Sequence, residues 1–296
     1  MKSGSVSLIG RPNAGKSSLL NRIVGVKLAI VSDKPQTTRN RIVGVKNYSD
    51  GQIVFVDTPG IHRPLHRMNV RMVDAARETI DEVDVIGVVV DVSESPGNGL
   101  RYLFDMVRDA RAKTVLILNK IDLVKKHKLL PVMDELNKQR DWHAIVPVSA
   151  TTGDNVEHLE KVLLDALPEG EPLYPPDYLT DQPERSMVAE MVREQVLRLT
   201  RDELPFSTAV MVDRWEEEEG QLLRLYLTIL VERDSQKPIV IGRGGEMIKE
   251  IGTAARQEIQ RFLERKVFLD LRVAVKEQWR ENDRVLDELG VRPPEK

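Results

Sequence analysis

The octapeptide GRPNAGKS, residues 10–17, matches the pattern G-x-x-x-x-G-K-[ST] and constrains this chain more than any other feature. With glycine at roughly 7% of ordinary sequences, a chance match in a chain of this length is on the order of one per cent. The loop follows the apolar run VSLI and precedes SSLLNRIV, which has helical spacing, so it joins a strand to a helix. Its glycines let backbone N–H groups turn inward around phosphates, and the helix N-terminus behind them adds partial positive charge. Lys16 is placed to reach the outer phosphates and Ser17 to hold Mg²⁺. Asn13, Ala14, Gly15 and Ser18 complete the cradle.

The segments SVSLIG, QIVFVD, VDVIGVVVDV, KTVLILNK and AIVPVSA are short, rich in Val and Ile, and nearly continuous in apolar character. Such runs suit strands buried on both faces of a mostly parallel sheet. Residues 67–81, 99–112, 125–140 and 155–166 between them have helical spacing, so the spacing predicts a doubly wound α/β domain. RIVGVKNY and QIVFVD, separated by SDG, read as a hairpin that adds one antiparallel edge strand. LPEGEPLYPPDYLTDQPER, residues 167–185, holds five prolines and no periodicity, which marks a domain boundary. After it come a helix, two strands, a second glycine loop, a long helix, a strand and a terminal helix, a smaller α+β unit. The expected division is a nucleotide-binding domain over 1–168, a linker over 169–183 and a second domain over 184–296.

Composition excludes several classes. No apolar run approaches the roughly 18 residues of a membrane span, VIGVVV being the longest. The start of the chain shows no signal-peptide pattern, and a cytoplasmic protein is expected. With no cysteine and five scattered histidines there is no disulfide, thiolate or zinc pattern. The net charge of −3 does not advertise nucleic-acid binding, but residues 237–276 hold nine basic and five acidic side chains.

Further motifs stand at strand ends. In DTPG, residues 57–60, Asp57 can hold Mg²⁺ through water, and Gly60 can present its N–H to a γ-phosphate. In NKID, residues 119–122, the Asp122 carboxylate can accept from guanine N1–H and N2–H₂, an edge adenine lacks. Asn119 and the stem of Lys120 brace the base and the P-loop. In SAT, residues 149–151, Ser149 introduces Ala150, whose N–H can meet the base oxygen. These four motifs in this order resemble the translation-factor class of P-loop GTPases over about 160 residues. The resemblance implies GTP and GDP binding with Mg²⁺, and switch segments near 31–41 and 57–75. The first must supply a threonine to Mg²⁺ and the γ-phosphate. KPQTTRNR offers Thr37 and Thr38, and resemblance to relatives with a TTR signature favours Thr38. With Ser17 and Asp57 it makes the expected metal set, and with Lys16 and Gly60 the expected catalytic set. Ile61 stands where Ras-like proteins carry the glutamine that orients water, so slow intrinsic turnover is expected. His62 is the nearest substitute, though a surface histidine is the plainer reading. Asn13 resembles the asparagine that ligates K⁺ in some relatives.

The second glycine loop, IVIGRGGEMIKEIG at 239–252, fails the dinucleotide pattern because Met247 stands at its sixth position. It fits G-x-x-G instead, as Gly242-Arg243-Gly244-Gly245 before an amphipathic helix carrying Ile248, Ile251, Ala255, Ile259 and Phe262. With the order of elements around it, this resembles a KH domain, whose GxxG loop clamps the backbone of about four unpaired nucleotides. Arg243 and Lys249 are the expected phosphate contacts. A P-loop GTPase followed by one KH domain, with GRPNAGKSSLLN, PQTTRNR, DTPGIH, VIGRGGEMIKEIG and LDELGV, resembles the Era family of bacterial GTPases over essentially the whole chain. That resemblance implies a monomer that binds the single-stranded 3′ end of small-subunit ribosomal RNA, not DNA. It implies a role in 30S subunit assembly and 16S rRNA maturation, in the cytoplasm or peripherally on the inner face of the membrane. A rival reading is an RNA-binding module that only keeps its nucleotide for stability. A tRNA-modifying GTPase would need a further domain, and a factor with two GTPase domains would need a second P-loop.

Overall fold

The computed structural model describes all residues except 33, 35–36, 62–65, 95–96, 201–203, 218–221 and 292–296. In the first domain β1 (Lys2–Gly10) leads through the P-loop to α1 (Lys16–Val24). Then follow β2 (Ile42–Asn47), β3 (Gly51–Asp57), α2 (Arg67–Glu82), β4 (Val85–Asp91), α3 (Asn98–Met106) and β5 (Lys113–Asn119). The domain ends with α4 (Lys126–Asn137), β6 (Ala144–Pro147) and α5 (Val156–Ala166). The strands form one sheet in the order β2-β3-β1-β4-β5-β6, all parallel except β2, which pairs antiparallel with β3. Chain order reverses around β1, so the P-loop leaves the sheet at its topological switch point.

Both faces of the sheet are covered, which is why its strands read as unbroken apolar runs. Leu8, Phe55 and Ile117 face Leu19, Leu20, Leu159 and Leu163 of α1 and α5. Ile9, Ile86 and Val88 face Ala76, Leu103 and Leu136 of the helices on the other side. Helix α3 stops at Met106, short of the expected 112. Its apolar stripe ends at buried Val107, and the chain continues in turns closed by Arg108 N–H to Asp105 O and Ala110 N–H to Val107 O.

The proline-rich segment after α5 lies along the edge of the sheet. Val45 N–H donates to Leu179 O at 2.8 Å, and the Gln52 side-chain oxygen accepts from the N–H groups of Leu173 and Tyr174. Tyr174 and Tyr178 stack with centroids 4.4 Å apart and pack with Val43, Val45 and Val54. The strap therefore covers an edge strand that would otherwise offer unpaired backbone groups.

The second domain begins with α6 (Glu184–Leu199) and a short α7 (Leu204–Ser207). It continues as β7 (Ala209–Glu217), β8 (Leu222–Val231), α8 (Lys237–Ile241), α9 (Glu246–Phe262), β9 (Lys266–Val275) and α10 (Asp283–Glu288). β7 is antiparallel and β9 parallel to the central β8. Helices α6 and α9 cover one sheet face through Val188, Val192, Val196, Ile251, Ala255 and Ile259. On the other face, Ala209 and Leu230 meet Trp279, Val285 and the methionines Met68 and Met72 of α2. Helix α6 is buried from Met187 to Leu197 because it lies between the two domains, with Met187 in the first core and Val188 in the second.

Candidate functional site

The first domain gathers its polar motifs at the carboxyl ends of β1, β3 and β5. The P-loop turns on Asn13 and Gly15, both in the left-handed region. A side chain at Gly15 would collide with the amide of Asn119, so glycine is required there. Asn119 in turn ties two loops together. Its Nδ2 donates to Ala14 O at 2.9 Å, and its Oδ1 accepts from Ala150 N–H at 3.0 Å. The Ala150 N–H expected to face a base is thus engaged by Asn119. Lys16 is buried, and its Nζ donates to Gly10 O and Arg11 O, both at 3.3 Å. Burial pushes its pKa down, and the Asp57 carboxylate opposes that shift.

Three oxygens converge beside Lys16. Ser17 Oγ donates to Asp57 Oδ2 at 2.7 Å, lies 2.7 Å from Thr38 Oγ1, and Thr38 Oγ1 is 3.3 Å from the same Asp57 oxygen. Thr38 and not Thr37 supplies the hydroxyl, while the Thr37 carbonyl accepts from Arg193. Asp57 is fully buried, and its Oδ1 has no partner among the described residues. Burial raises its pKa, opposed by Lys16 and by hydrogen bonds from Ser17, Thr38 and the Thr58 backbone. An uncompensated carboxylate oxygen beside two hydroxyls is a hard-oxygen donor set that fits Mg²⁺. Gly60 is packed against the P-loop, where a Cβ would come within 2.9 Å of Pro12 backbone atoms. The next residue is anchored by Ile61 N–H donating to Gly10 O at 3.0 Å, and the Ile61 side chain is buried in the apolar core. It cannot orient a water. His62 lies outside the described residues.

Asn13, Gly15, Lys16, Ser17, Ser18, Thr38, Gly60 and Lys120 line one cavity of about 400 Å³. Asp122 is exposed on the short 3₁₀ turn Ile121–Leu123, and it, Ser149 and Ala150 stand outside that lining. Sequence reasoning missed the brace beneath Lys120, whose Nζ is 2.5 Å from Asp91 Oδ2. The terminal aspartate of VVVD was the available signal.

In the second domain Gly242 ends α8, its N–H donating to Pro238 O at 2.8 Å. Gly242, Gly244 and Gly245 have φ of +76°, +59° and +82°. A side chain at Gly242 would strike Met247, whereas nothing lies within 4 Å of a Cβ at Gly244 or Gly245. That part of the loop is open for close approach. Arg243 and Lys249 flank it, both exposed, and Ile239 adds an exposed apolar side chain that sequence reasoning did not single out.

A P-loop, a buried Ser-Thr-Asp cluster, NKID and a GxxG loop on a β7-β8-β9 sheet define a translation-factor-class P-loop GTPase carrying a KH domain. Residues 5–120 match the sequence profile of the family described as 50S ribosome-binding GTPase, and residues 203–280 that of the KH domain. GTPase Era of Geotalea daltonii is 51% identical over 288 residues, covering 97% of each chain. GTPase Era of Staphylococcus haemolyticus is 46% identical over 289 residues, 98% of this chain and 97% of that one. The chain belongs to the Era family. Two solved structures superpose on it over 98% of its length and 99% of theirs, each at 39% identity. One is a variant of Aquifex aeolicus Era bound to GDP and AlF₄⁻, with a TM-score of 0.94. The other is Era in complex with MgGDPNP and nucleotides 1506–1542 of 16S ribosomal RNA, with a TM-score of 0.95.

Proposed function

We propose that this protein is a GTP-hydrolysing switch that binds single-stranded small-subunit ribosomal RNA near its 3′ end and assists 30S assembly and 16S rRNA maturation. The observation that carries the reading is the convergence of Ser17, Thr38 and Asp57 while the neighbouring Thr37 carbonyl is held by Arg193 of α6. One chain thus joins a nucleotide-sensing loop to the helix that opens its RNA-binding domain. The relatives solved with GDP and AlF₄⁻, and with MgGDPNP and 16S RNA, support both halves.

In this reading the P-loop N–H groups from Asn13 to Ser18 cradle the phosphates, and Lys16 moves from loop carbonyls to the β- and γ-oxygens. Mg²⁺ supplies charge neutralisation between those oxygens, and Ser17, Thr38 and Asp57 hold it. The Gly60 N–H meets the γ-phosphate. Asp122 reads guanine, while Lys120, Asn119, Ser149 and Ala150 keep its loop in place. Because Ile61 is in the core, the group that completes the transition state comes from outside the side chains of that segment. K⁺ held by Asn13 is one candidate and the RNA-bound ribosomal subunit another. In the KH domain Gly242–Gly245 admit an RNA backbone, Arg243 and Lys249 meet its phosphates, and Ile239 offers an apolar surface to a base. The domains divide at 1–168 and 184–296, with 169–183 as the strap. No described helix is long and apolar enough to cross a membrane. The RNA partner places the action in the cytoplasm, and any membrane contact is peripheral.

Multiple-turnover phosphate release from GTP, with and without a single-stranded oligonucleotide of the small-subunit RNA 3′ end, tests the reading. Slow release that the oligonucleotide or its subunit accelerates is expected. Absence of GTP turnover in every condition, with RNA bound, would leave the binding-module reading instead.

A further inference from the structure

Between switch segment 38–42, α6, the start of β7 and residues 287–291 lies a second cavity, of about 350 Å³. It is separate from the phosphate cavity and shares only Thr38 with it. Two arginines in its wall are buried, Arg39 with 7% and Arg193 with 1% of their surface exposed. Arg39 Nη1 donates to Thr208 O at 2.9 Å, and its guanidinium lies 5.3 Å from the Trp279 ring centroid. Its Nε and the Nη1 of Arg193 have no hydrogen-bond partner among the described residues.

The charges around this cavity do not balance. Each carboxylate in its wall already has a cation: Glu190 pairs with Arg193, Asp287 with Arg71 and Glu288 with Arg284. Lys27 pairs with Glu194 and Glu258. Arg39 and Arg185 make no ion pair among the described residues, and Arg185 has only the Trp215 ring, 5.7 Å away. Burial, and then the positive charge of Arg193, hold the Arg39 guanidinium well below its ordinary pKa. Two buried like charges with spare donors in one cavity wall are costly unless an anion lies between them. Met187, Met191 and Val210 supply apolar wall, and the volume falls in the range of small-molecule sites, about 300–1,000 Å³.

We infer that this interdomain cavity is a second anion site, taking a phosphate monoester whose phosphate lies between Arg39 and Arg193 and whose body rests on Met187, Met191 and Val210. Guanidinium groups suit this role because they offer forked donors to phosphate oxygens. The ligand would share Arg193 with the Thr37 carbonyl and so bear on the switch segment from behind. The inference does not depend on which nucleotide fills the P-loop.

The test uses the full chain saturated with GDP and Mg²⁺, so that the P-loop is already filled. Inorganic phosphate and AMP are titrated separately by calorimetry into wild type, Arg39→Gln and Ser186→Trp. Ser186 is exposed in the cavity wall, and a tryptophan there narrows it without touching either arginine. Bound GDP measured on each variant reports that the first domain is folded. Saturable binding at one site per chain is expected, weakened about tenfold or more in Arg39→Gln by loss of a charge-assisted donor. Ser186→Trp should weaken it too. AMP binding tighter than phosphate would assign the site to organic esters, and equal binding to the phosphate alone. No saturable binding of either probe to wild type overturns the inference. So does binding that both folded variants keep unchanged, since it would then lie elsewhere.

Discussion

Arg193, in the helix that opens the KH domain, donates to the backbone carbonyl of Thr37, the residue before the metal-facing threonine. Glu190 holds the guanidinium from the other side, through Nε at 2.8 Å and Nη2 at 2.5 Å. One turn on, Glu194 Oε1 accepts from Val31 N–H at 3.0 Å, and Lys27 links Glu194 to Glu258 of α9. Both ends of the first switch segment are thus fastened to one helix. The second switch side is fastened as well, since Arg71 donates to Asp283 at 2.5 Å and to Asp287 at 2.7 Å. Movement of Thr38 away from Asp57 must therefore disturb contacts with the KH domain. This is a discrete physical link of the kind that coupling between two sites requires.

Arg193→Ala should break that link. Mutual enhancement of RNA and GTP-analogue affinity should fall, toward loss of the about 1–3 kcal/mol typical of such coupling. GDP affinity should change little, because no P-loop contact is lost. Affinities for each ligand with and without the other check this, and full coupling in a folded Arg193→Ala protein would refute it.

Asp122→Asn should move base preference from GTP to xanthosine triphosphate, because the amide replaces one acceptor by a donor. Sites built on such polar pairing discriminate by about 10⁴–10⁵-fold, so a loss of at least two decades in GTP affinity is expected. Competition between the two nucleotides on wild type and variant decides it. Asp122 is exposed and makes no brace to the P-loop, so the fold should survive.

The strand-end motifs were legible because each carries its own spacing and a run of buried strand residues before it. Asn119, Asp57 and Lys16 could be placed from the sequence for that reason. The links between domains were not. Arg193, Glu194 and Gln195 are consecutive and all buried, a pattern no helical period explains. Their partners Thr37, Val31 and Glu258 lie 156, 163 and 63 positions away. Prolines identified the boundary after α5, but the strap depends on Gln52, a polar residue inside β3 whose side chain no local pattern explains. Helix α3 ended early because its apolar stripe ran out at Val107, a difference of one turn that periodicity resolves poorly.

Gly244→Asp and Gly245→Asp should each weaken single-stranded RNA binding and leave GTP affinity unchanged. Both positions have positive φ, and both open into free space, so the added carboxylate meets an incoming phosphate and not a neighbour in the fold. Arg243→Ala should cost less and should flatten the dependence of affinity on salt, by about one unit of log–log slope at most. Salt titrations with a single strand and with its duplex measure both effects. The duplex should bind poorly to every form, since paired bases cannot be splayed into a KH groove. RNA affinity unchanged in the folded aspartate variants would reduce the loop to a turn.

K⁺ should accelerate hydrolysis relative to Na⁺ at equal ionic strength if Asn13 helps hold an ion beside the transferring phosphoryl group. Without such help turnover should lie on the order of 10⁻⁴ to 10⁻² s⁻¹, the range of unassisted GTPases. Equal rates in the two salts would remove the ion from the mechanism, and Asn13→Asp should then make no difference between them.

Thr37 and Thr38 give the sharpest separation of roles, because adjacent residues of one type use different atoms. Thr38 presents Oγ1 to Ser17 and Asp57, whereas Thr37 is held by its carbonyl. Thr37→Ala keeps that carbonyl and should leave hydrolysis within about threefold of wild type, the usual scale for substitutions away from a buried contact. Thr38→Ala removes a hydroxyl that faces the metal only when the switch is closed. Hydrolysis should fall about 10²-fold, the scale of deleting one preorganised group that stabilises transition-state charge. GDP affinity should hardly change, since the Ser17 and Asp57 oxygens remain. Thr38→Ser, which restores an oxygen at the same position, should recover most of the rate. Measuring GTP-analogue affinity in Mg²⁺ and in EDTA adds a second reading. In wild type the metal should tighten the triphosphate more than the diphosphate, and Thr38→Ala should erase that difference. A larger loss in Thr37→Ala than in Thr38→Ala would show that the closed state turns the other threonine toward the metal.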